Sequence, residues 1–406
     1  MKEVVRTTDP RIAALIVRQA TQSIDDDQIG LDRITALLDA LGRPQDRLPP
    51  VFHVAGTNGK GSTCAFLRAG LEAAGHDVHV FTSPHLVRYN ERIRLAGTLI
   101  EDAQLADVMA RVLDANDMVG GSLFEVNTSA AFLAFADTPA AAVILEVGLG
   151  GRLDATNVIA APLVTGIASI GLDHQHFLGN TLAKIAAEKA GIARRGVPLV
   201  CLAQPAEART AIERVAAEIG APLLLEGRDW RHDPSLVPAL PGVHQVRNTN
   251  LAWQMLDSQD RLAVPRAAFA QAIAAATWPA RFQQLADGPL TKGIETWLDG
   301  AHNPDAAAAL AAVLAQRGPM HLVVGILAGK DAAAIVEILV PHALSMTFVP
   351  IPDHEAHAPA GLAARFDGRA ASSLEEALAE LPAPRLIAGS LYLAGTALSL
   401  NGERPD

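Results

Sequence analysis

A glycine-rich loop with a lysine is the first group of residues in this sequence that could do chemistry. Segment 53–63 leaves an apolar run, passes through Gly56, Gly59 and Gly61, and places Lys60 between two glycines. Glycines let backbone N–H groups turn toward one anion, a following helix adds the positive end of its dipole, and lysine adds a full charge. The spacing departs from the usual GxxxxGK[ST] pattern. Alone, the loop predicts phosphate binding or, alternatively, a purely structural turn.

Four side chains of different chemistry lie at or just past the ends of four apolar runs. They are Lys60 after 51–55, Ser83 after 78–81, Glu146 within 141–147 and His174 after 163–170. Ligands of open parallel sheets bind where the strands end, and oxygen ligands beside phosphates suit Mg²⁺. A carboxylate in an apolar strand is costly without a partner. The pattern favours a nucleotide–metal site, although a buried salt bridge for Glu146 and an ordinary hydrogen-bonded His174 stay open.

Lys189 lies on a predicted helix, 181–192, that begins shortly after His174. Its apolar neighbours Ile185, Ala186 and Ile192 predict a partly buried helix, where a lysine can be neutral and reactive. A plain surface lysine is the alternative.

The elements that position these residues follow an alternating pattern. Continuous apolar strands alternating with helices indicate a parallel sheet covered on both faces. The predicted strands are 51–55, 78–81, 141–147, 163–170 and 197–202, with helices at 29–41, 62–74, 181–192 and 207–219. A second, smaller unit has predicted strands at 294–298, 321–326, 344–349 and 385–388, with helices at 305–316 and 331–339. A turn at 287–289 separates the units.

The predicted fold class is therefore α/β. A P-loop-type, mostly parallel sheet domain that binds nucleotide phosphates is expected over residues 1–285. A smaller Rossmann-like α/β domain is expected over 286–406.

Composition limits the classes of function. The 406 residues are 50% hydrophobic and 19% charged, which disfavours disorder, and the net charge of −11 disfavours a nucleic-acid partner. Cys64 and Cys201 have no zinc or disulfide spacing and are predicted to be core thiols. No signal peptide and no apolar run of about 18–20 residues is evident, which predicts a cytoplasmic protein without a membrane span.

Taken together, the motifs resemble the folylpolyglutamate synthase/dihydrofolate synthase family, which is related to the Mur ligases. The matching segments occur in order at 56–62, 83–86, 146–157, 172–174, 188–192, 281–283 and 299–304. The resemblance implies a ligase that phosphorylates the carboxylate of dihydropteroate or a folate with ATP. Glutamate then attacks the acyl phosphate, and ADP and phosphate are released.

The resemblance also implies roles for individual residues. The nucleotide would contact Gly56, Thr57, Asn58, Gly59, Lys60, Gly61, Ser62, Asn248, Arg281, Asp299 and His302. Ser83 and Glu146 would hold one Mg²⁺, His174 would help to hold a second, and Lys189 matches a lysine that is carbamylated in the family. Catalysis would rest on Lys60, His174 and Lys189. The pterin would contact Gln28, Ile29, Gly30, Phe124, Arg152, Leu153 and Asp154. The expected partners are small substrates and the expected state is a monomer.

Three alternatives remain. The first is an enzyme with only one of the two activities. The second is a Mur-type ligase, which is expected to have an additional domain before the loop at residue 56. The third is a P-loop ATPase that moves partners, which would leave Ser83, Glu146, His174 and Lys189 unexplained.

Overall fold

A computed structural model describes residues 7, 9–22 and 29–406 and contains two β-sheets flanked by helices. The strands of the first sheet are β1 (Val51–Ala55), β2 (Val78–Phe81), β3 (Ile93–Leu95), β4 (Thr98–Leu99), β5 (Ala142–Glu146), β6 (Val164–Ile167), β7 (Leu199–Cys201) and β8 (Leu223–Leu225). Their order is β4-β3-β2-β5-β1-β6-β7-β8, and the six strands from β2 to β8 in that order are parallel.

Ten helices accompany the first sheet in the described part of the chain. They are α1 (Pro10–Gln22), α2 (Asp32–Ala40), α3 (Lys60–Ala73), α4 (Asp102–Asn116), α5 (Leu123–Ala136), α6 (Gln175–Leu178), α7 (Leu182–Ala190), α8 (Ala206–Ile219), α9 (Val243–Asp257) and α10 (Arg266–Ile273). Short 3₁₀ turns lie at Pro44–Arg47, Tyr89–Arg92 and Ala155–Val158.

Alternation along the strands gives each face of this sheet its own core. Val51 packs with α1, α2, α4 and α5, whereas Phe52 and Val54 pack with α3, α9 and α10. Successive side chains of a strand point to opposite faces, so an apolar strand such as β1 requires helices on both sides. A third core joins β6 and β7 to α7 and α8.

The second sheet repeats this arrangement on a smaller scale. Its strands are β9 (Gln283–Gln284), β10 (Thr296–Leu298), β11 (Met320–Val324), β12 (Ala343–Phe348), β13 (Arg369–Ala370) and β14 (Arg385–Ala388). The order is β13-β12-β11-β14-β10-β9, and only β9 is antiparallel to its neighbour. The helices are α11 (Pro304–Arg317), α12 (Ala332–Leu339), α13 (Pro359–Arg365), α14 (Leu374–Leu378) and α15 (Leu391–Asn401), with a 3₁₀ turn at Val340–His342.

The predicted alternation of strands and helices is found, with small changes of boundary. Helix α3 begins at Lys60 rather than at residue 62, because Gly59 already occupies the cap position with φ +89°. Helix α2 begins at Asp32, three residues later than predicted. The antiparallel strands β3 and β4 are not predicted by the sequence, because they are too short to show a periodic pattern.

Other sequence predictions have mixed outcomes. Cys64 and Cys201 are free and buried, as predicted. None of the described helices is long and apolar enough to cross a membrane. The domain division at 285/286 stays a prediction; β9, just before it, pairs with β10 of the second sheet.

Candidate active site

The predicted phosphate loop connects β1 to α3 at the carboxyl edge of the first sheet. The N–H groups of Thr57 and Asn58 do not face an open site, because both donate to the Ser169 carbonyl at 2.8 and 3.3 Å. The N–H groups that remain for an anion include that of the cap residue Gly59, which has no backbone acceptor in the described part of the chain, and those of the first turn of α3, which lack intrahelical acceptors. Lys60 opens that turn, and its Nζ donates weakly to the Thr57 carbonyl at 3.4 Å. The helix start, rather than the whole loop, therefore forms the anion cradle.

Gly59 shows why this loop needs a residue without a side chain. Its φ of +89° lies in the left-handed region, and a Cβ there would lie 3.0 Å from Cγ of Asn248 and closer still to its amide oxygen. Asn248 is 4% exposed on α9 and donates to the Gln245 side chain at 3.2 Å. Asn248 and the loop are thus in direct contact, and their role as nucleotide contacts stays a prediction.

Lys189 joins the same cradle from α7. Its side chain is 4% exposed, and Nζ donates to the Gly56 carbonyl at 2.9 Å. Burial, followed by the positive charge of Lys60, lowers the pKa of Lys189 to about 7. A substantial fraction of this amine is therefore neutral near pH 7, and the alternative of a plain surface lysine is wrong.

Glu146 ends β5 beside the loop and is 6% exposed. Its one hydrogen bond in the described structure is from the Ser83 backbone N–H at 3.2 Å, and no ion pair within the described ranges satisfies it. Burial raises the pKa of this carboxyl, while the charge of Lys60 opposes the rise. The buried salt bridge left open from the sequence is thus not formed.

The hydroxyl of Ser62 is a second unsatisfied group in the cradle. It is 1% exposed, and Oγ has no hydrogen-bond partner. Buried polar atoms are normally paired, so an orphaned hydroxyl and an unpaired carboxylate beside an anion cradle fit a bound phosphate and its cation.

The predicted metal ligands are chemically mixed. Among the residues described, no cluster of three or more His, Cys, Asp or Glu side chains is placed to hold a metal alone. The predicted set contributes one carboxylate, one imidazole, one hydroxyl and one lysine. Its donors therefore suit a hard cation that takes further oxygen ligands from phosphate and water.

Arg281 and Asp299 bring the second unit to the cleft. Asp299 follows β10 and accepts hydrogen bonds from the N–H groups of Phe282 at 2.9 Å and Ala301 at 2.8 Å. Arg281 donates to the Ala280 carbonyl at 2.9 Å, and burial lowers its pKa. Arg281 and Glu146 line one continuous cleft, so the predicted nucleotide and metal residues share a region.

Asp173 connects the two units through three side chains. It pairs with Lys330, accepts from Nδ2 of Asn303 at 3.1 Å, and lies 3.7 Å from Nε2 of His302. Burial would raise the pKa of Asp173, but the charges that His174 and His302 carry at the acidic pH where this carboxyl titrates, together with the charge of Lys330, hold it well below its usual range.

Asn58 forms a second connection between the units. Asn58 and Asn303 exchange hydrogen bonds of 3.1 and 3.0 Å. Asn303 also caps α11 by accepting from the Ala306 N–H at 2.9 Å, as its position before Pro304 predicts. The phosphate loop is therefore tied directly to the start of a helix in the second unit.

The two histidines near this junction are both neutral at pH 7. His174 is exposed, yet partial desolvation of its ring lowers its pKa below the usual value, and burial together with the charge of Lys330 lowers the pKa of His302 to about 4. Nδ1 of His302 lies 2.8 Å from the Gly300 carbonyl. A neutral imidazole at His174 has a lone pair available for a cation or a proton.

The residues predicted for pterin contact lie on several elements. Phe124 is the second residue of α5, and its ring lies over Gly148, where an added Cβ would collide with it. Asp154 is buried and accepts from the Leu149 N–H at 2.8 Å and from Thr156. These contacts place Phe124 and Asp154 at the loop that follows β5.

The remaining predicted pterin residues are less constrained. Arg152 points outward and pairs with Glu188 at 2.9 Å, and Leu153 is half-buried. Ile29 is exposed, and Gly30 has open space where a side chain would project. Gln28 lies outside the described residues.

Sequence reasoning missed Lys330 and Trp278 as site residues. Lys330 lies in the loop after β11. Ligands bind where the strands of an open parallel sheet end, so the reasoning that identified Ser83 and His174 also applies to Lys330. Trp278 covers the phosphate loop, and its Nε1 would lie 2.9 Å from a Cβ at Gly61. Nothing in the local sequence of Trp278 indicates this contact.

Comparison with known proteins identifies relatives along nearly the whole chain. No family model matches. Folylpolyglutamate synthase of Lacticaseibacillus casei is 35% identical over 401 residues, which cover 89% of this chain and 92% of that protein. The structure of E. coli FolC in complex with DHPP and ADP has a TM-score of 0.86 at 30% identity and covers 98% of this chain and 99% of its own.

A second solved structure shares the same fold. It is a bifunctional folylpolyglutamate synthase/dihydrofolate synthase with Mn, AMPPNP and L-glutamate bound. Its TM-score is 0.86 at 32% identity, with 98% of this chain and 99% of that chain covered.

Proposed function

This chain belongs to the folylpolyglutamate synthase/dihydrofolate synthase family, and from that premise we propose that its inter-sheet cleft joins L-glutamate to dihydropteroate and to folates. The predicted family, the α/β fold class and the ATP-dependent carbon–nitrogen ligase activity are confirmed. ATP and a divalent cation belong to that activity, since relatives bind ADP, AMPPNP and Mn.

The observation that supports this assignment best is the buried, unpaired carboxylate of Glu146 beside Lys60 and the orphaned hydroxyl of Ser62. A buried charge without a partner is costly, so these groups are arranged for a ligand that brings both a cation and anionic oxygens. ATP with a divalent cation is such a ligand.

The chemistry requires two bond exchanges. A carboxylate oxygen of the acceptor bonds to the γ-phosphorus of ATP as the bond to the bridging oxygen breaks, which gives ADP and an acyl phosphate. The glutamate nitrogen then bonds to the acyl carbon, the carbon–oxygen bond to phosphate breaks, and the nitrogen loses its proton to the medium. Lys60 and the first turn of α3 stabilise the negative charge of the transferred group.

The metal sites are assigned by donor type. Ser83 and Glu146 would hold one divalent ion, and His174 would help to hold a second. Divalent ions there would supply Lewis-acid stabilisation of phosphoryl oxygens.

We also propose that Lys189 reacts with carbon dioxide. Its buried amine, with a pKa of about 7, has the neutral fraction that the reaction needs. The carbamate would replace a positive charge beside Lys60 by a negative one and create an oxygen ligand near His174. Electron density extending beyond Nζ in a crystal grown with bicarbonate would support this modification, and a bare ammonium at full occupancy would contradict it.

The substrate contacts follow from the same cleft. The nucleotide would lie along Gly56–Ser62 and contact Asn248, Arg281, Asp299 and His302. The pterin would lie against Phe124, with contacts from Gln28, Ile29, Gly30, Arg152, Leu153 and Asp154. We propose that the protein works as a cytoplasmic monomer on small-molecule substrates, without nucleic-acid or membrane partners.

An acceptor assay tests the function. Purified protein is given ATP, Mg²⁺ and L-glutamate with dihydropteroate or tetrahydrofolate in turn, and the amide product and ADP are measured. We expect a product with each acceptor and ADP release that needs both acceptor and glutamate. A product with one acceptor only would indicate a single-activity enzyme, and a product with neither would refute the proposal.

A pair of lysine variants tests the role of the phosphate loop. Lys60→Ala should lower turnover by a factor on the order of 100 or more, because a preorganised charge on a transferred phosphoryl group is lost. The matched control is Lys184→Ala, at an exposed position of α7. Equal activity of the two variants would remove Lys60 from the mechanism.

A further inference from the structure

The cleft that contains Ser83, Glu146 and Arg281 continues away from the phosphate loop. Its walls include α3 and the β2–β3 pair, and its far end is lined by Arg68 and Arg94. None of the proposed steps so far uses these two arginines.

The fold places both arginines at the same depth. Arg68 is eight residues beyond Lys60 on α3, which corresponds to about 12 Å along the helix axis. Arg94 is paired with Val80 in the antiparallel β2–β3 ladder. Val80 lies three residues before Ser83, or about 10 Å along an extended chain. Paired residues share a face of a sheet, and Val80 packs in the core beneath α3, so Arg94 lies on the side of Arg68.

The positive charge at this end is poorly satisfied. Nε of Arg68 is buried without a hydrogen-bond partner, and Arg68 forms no ion pair with any residue that the structure describes. The Nη1 of Arg94 donates to the Gly97 carbonyl at 2.7 Å. Burial, followed by the positive charge of Arg68, lowers the pKa of Arg94 to about 10.

The neighbouring carboxylates do not neutralise the pair. Glu91 accepts three backbone N–H groups at the turn after Ser83. Glu72 lies near enough to be influenced by both arginines, yet its Oε1 is buried without a partner and burial raises its pKa. Asp406 lines the cleft and attracts Arg94, but is exposed to solvent. A further anion would satisfy the two guanidinium groups.

We propose that Arg68 and Arg94 bind a carboxylate of the acidic substrate in this extension of the cleft. The inference rests on the proposed function and adds an anchoring site to it. A guanidinium fork matches carboxylate geometry, and two such forks beside each other suit one shared anion. Two sources offer that group: the incoming glutamate, which keeps both of its carboxylates when its amine reacts, and the glutamate tail of a folate acceptor.

Neutral variants of similar size test the site. Arg68→Met and Arg94→Met are compared with Arg214→Met, an exposed arginine on α8 that pairs with Glu218. KM and kcat are measured for L-glutamate, and for tetrahydrofolate acceptors with one or three glutamates. We expect KM for one substrate to rise on the order of 10- to 100-fold, the effect of losing a charge-assisted hydrogen bond, with kcat within about threefold of the wild type. Arg68→Lys should restore part of the affinity.

The pattern of KM changes distinguishes the sources. A rise for L-glutamate alone assigns the site to the incoming amino acid, and a rise for acceptors that grows with tail length assigns it to the tail. Unchanged KM values in active variants overturn the site but leave the ligase function intact, as does a fall in kcat with both KM values unchanged. A wild-type protein that forms no amide overturns both. Melting temperatures near that of Arg214→Met confirm folded variants.

Discussion

Replacing Gly59 by alanine isolates the contact between the phosphate loop and Asn248. The sequence offers a matched control at the other end of the same helix. Gly75 has φ +83°, close to the +89° of Gly59, but an added Cβ there meets nothing within 4 Å. The two substitutions therefore impose a similar backbone strain, and only one of them creates a collision.

The size of each effect follows from these differences. An alanine in the left-handed region costs roughly 1–2 kcal/mol, so both variants should lose about that much stability. For domains of this size, each kcal/mol lowers the melting temperature by about 2–4 °C. At position 59 the new Cβ must also displace the buried Asn248 amide, which breaks its bond to Gln245, or move the loop away from it. Loss of one phosphate contact by such a shift corresponds to roughly 1.5–3 kcal/mol.

The assay measures KM for ATP at saturating glutamate and acceptor, together with thermal unfolding without nucleotide. We expect a melting temperature that falls in both variants but falls further in Gly59→Ala, and a KM for ATP that is about 10- to 100-fold higher only in Gly59→Ala. A KM in Gly59→Ala within twofold of that in Gly75→Ala would show that the close approach to Asn248 has no role in nucleotide binding.

Two further substitutions test the ion pair that joins the two units and the buried histidine of β1. Lys330→Met should weaken the connection between the units at Asp173, because breaking a buried ion pair costs up to about 3–5 kcal/mol, although the hydrogen bond from Asn303 to Asp173 remains. We expect kcat/KM for ATP to fall by about tenfold and the particle to become broader in small-angle scattering. Behaviour like that of the exposed control Lys184→Met would contradict this expectation. Buried His53 bonds to Thr156 at 2.8 Å, and burial lowers its pKa to about 3. In the unfolded chain His53 binds a proton below about pH 6.5, whereas in the folded protein it stays neutral down to about pH 3. The free energy of unfolding should therefore decrease as the pH falls from 6.5 toward 3, by at most about 1.4 kcal/mol per pH unit. The free energy of unfolding, measured with urea across that pH range, should depend less on pH in His53→Gln than in the wild type or the exposed control His232→Gln. An unchanged pH dependence in His53→Gln would contradict the role given to His53.

Residues at strand ends were the part of the site that the sequence could predict. Ser83, Glu146 and His174 each lie at or just past the end of an apolar run, and parallel strands bring such positions to one edge. The same rule would have identified Lys330, which follows β11. The contact of Trp278 with the phosphate loop and the proximity of Arg68 to Arg94 could not be found in this way, because they join segments that are distant in the chain.

Some local expectations changed in three dimensions. The loop was expected to direct successive N–H groups at an anion, but Ser169 takes two of them, and the helix start remains for that role. The state of Lys189 depended on burial by the phosphate loop, which no property of its own helix reveals.

The sequence by itself determined the two α/β units, the phosphate loop and the family, because hydrophobic periodicity and long ordered motifs are local properties of the chain. The tertiary structure decided which charges are left unpaired. Glu146, Ser62 and Lys189 have the roles proposed for them only because the surrounding helices and strands exclude water, and half-buried Arg68 has its role because no described residue forms an ion pair with it. Desolvation and pairing depend on every neighbour at once, and neighbours are set by packing rather than by position in the sequence.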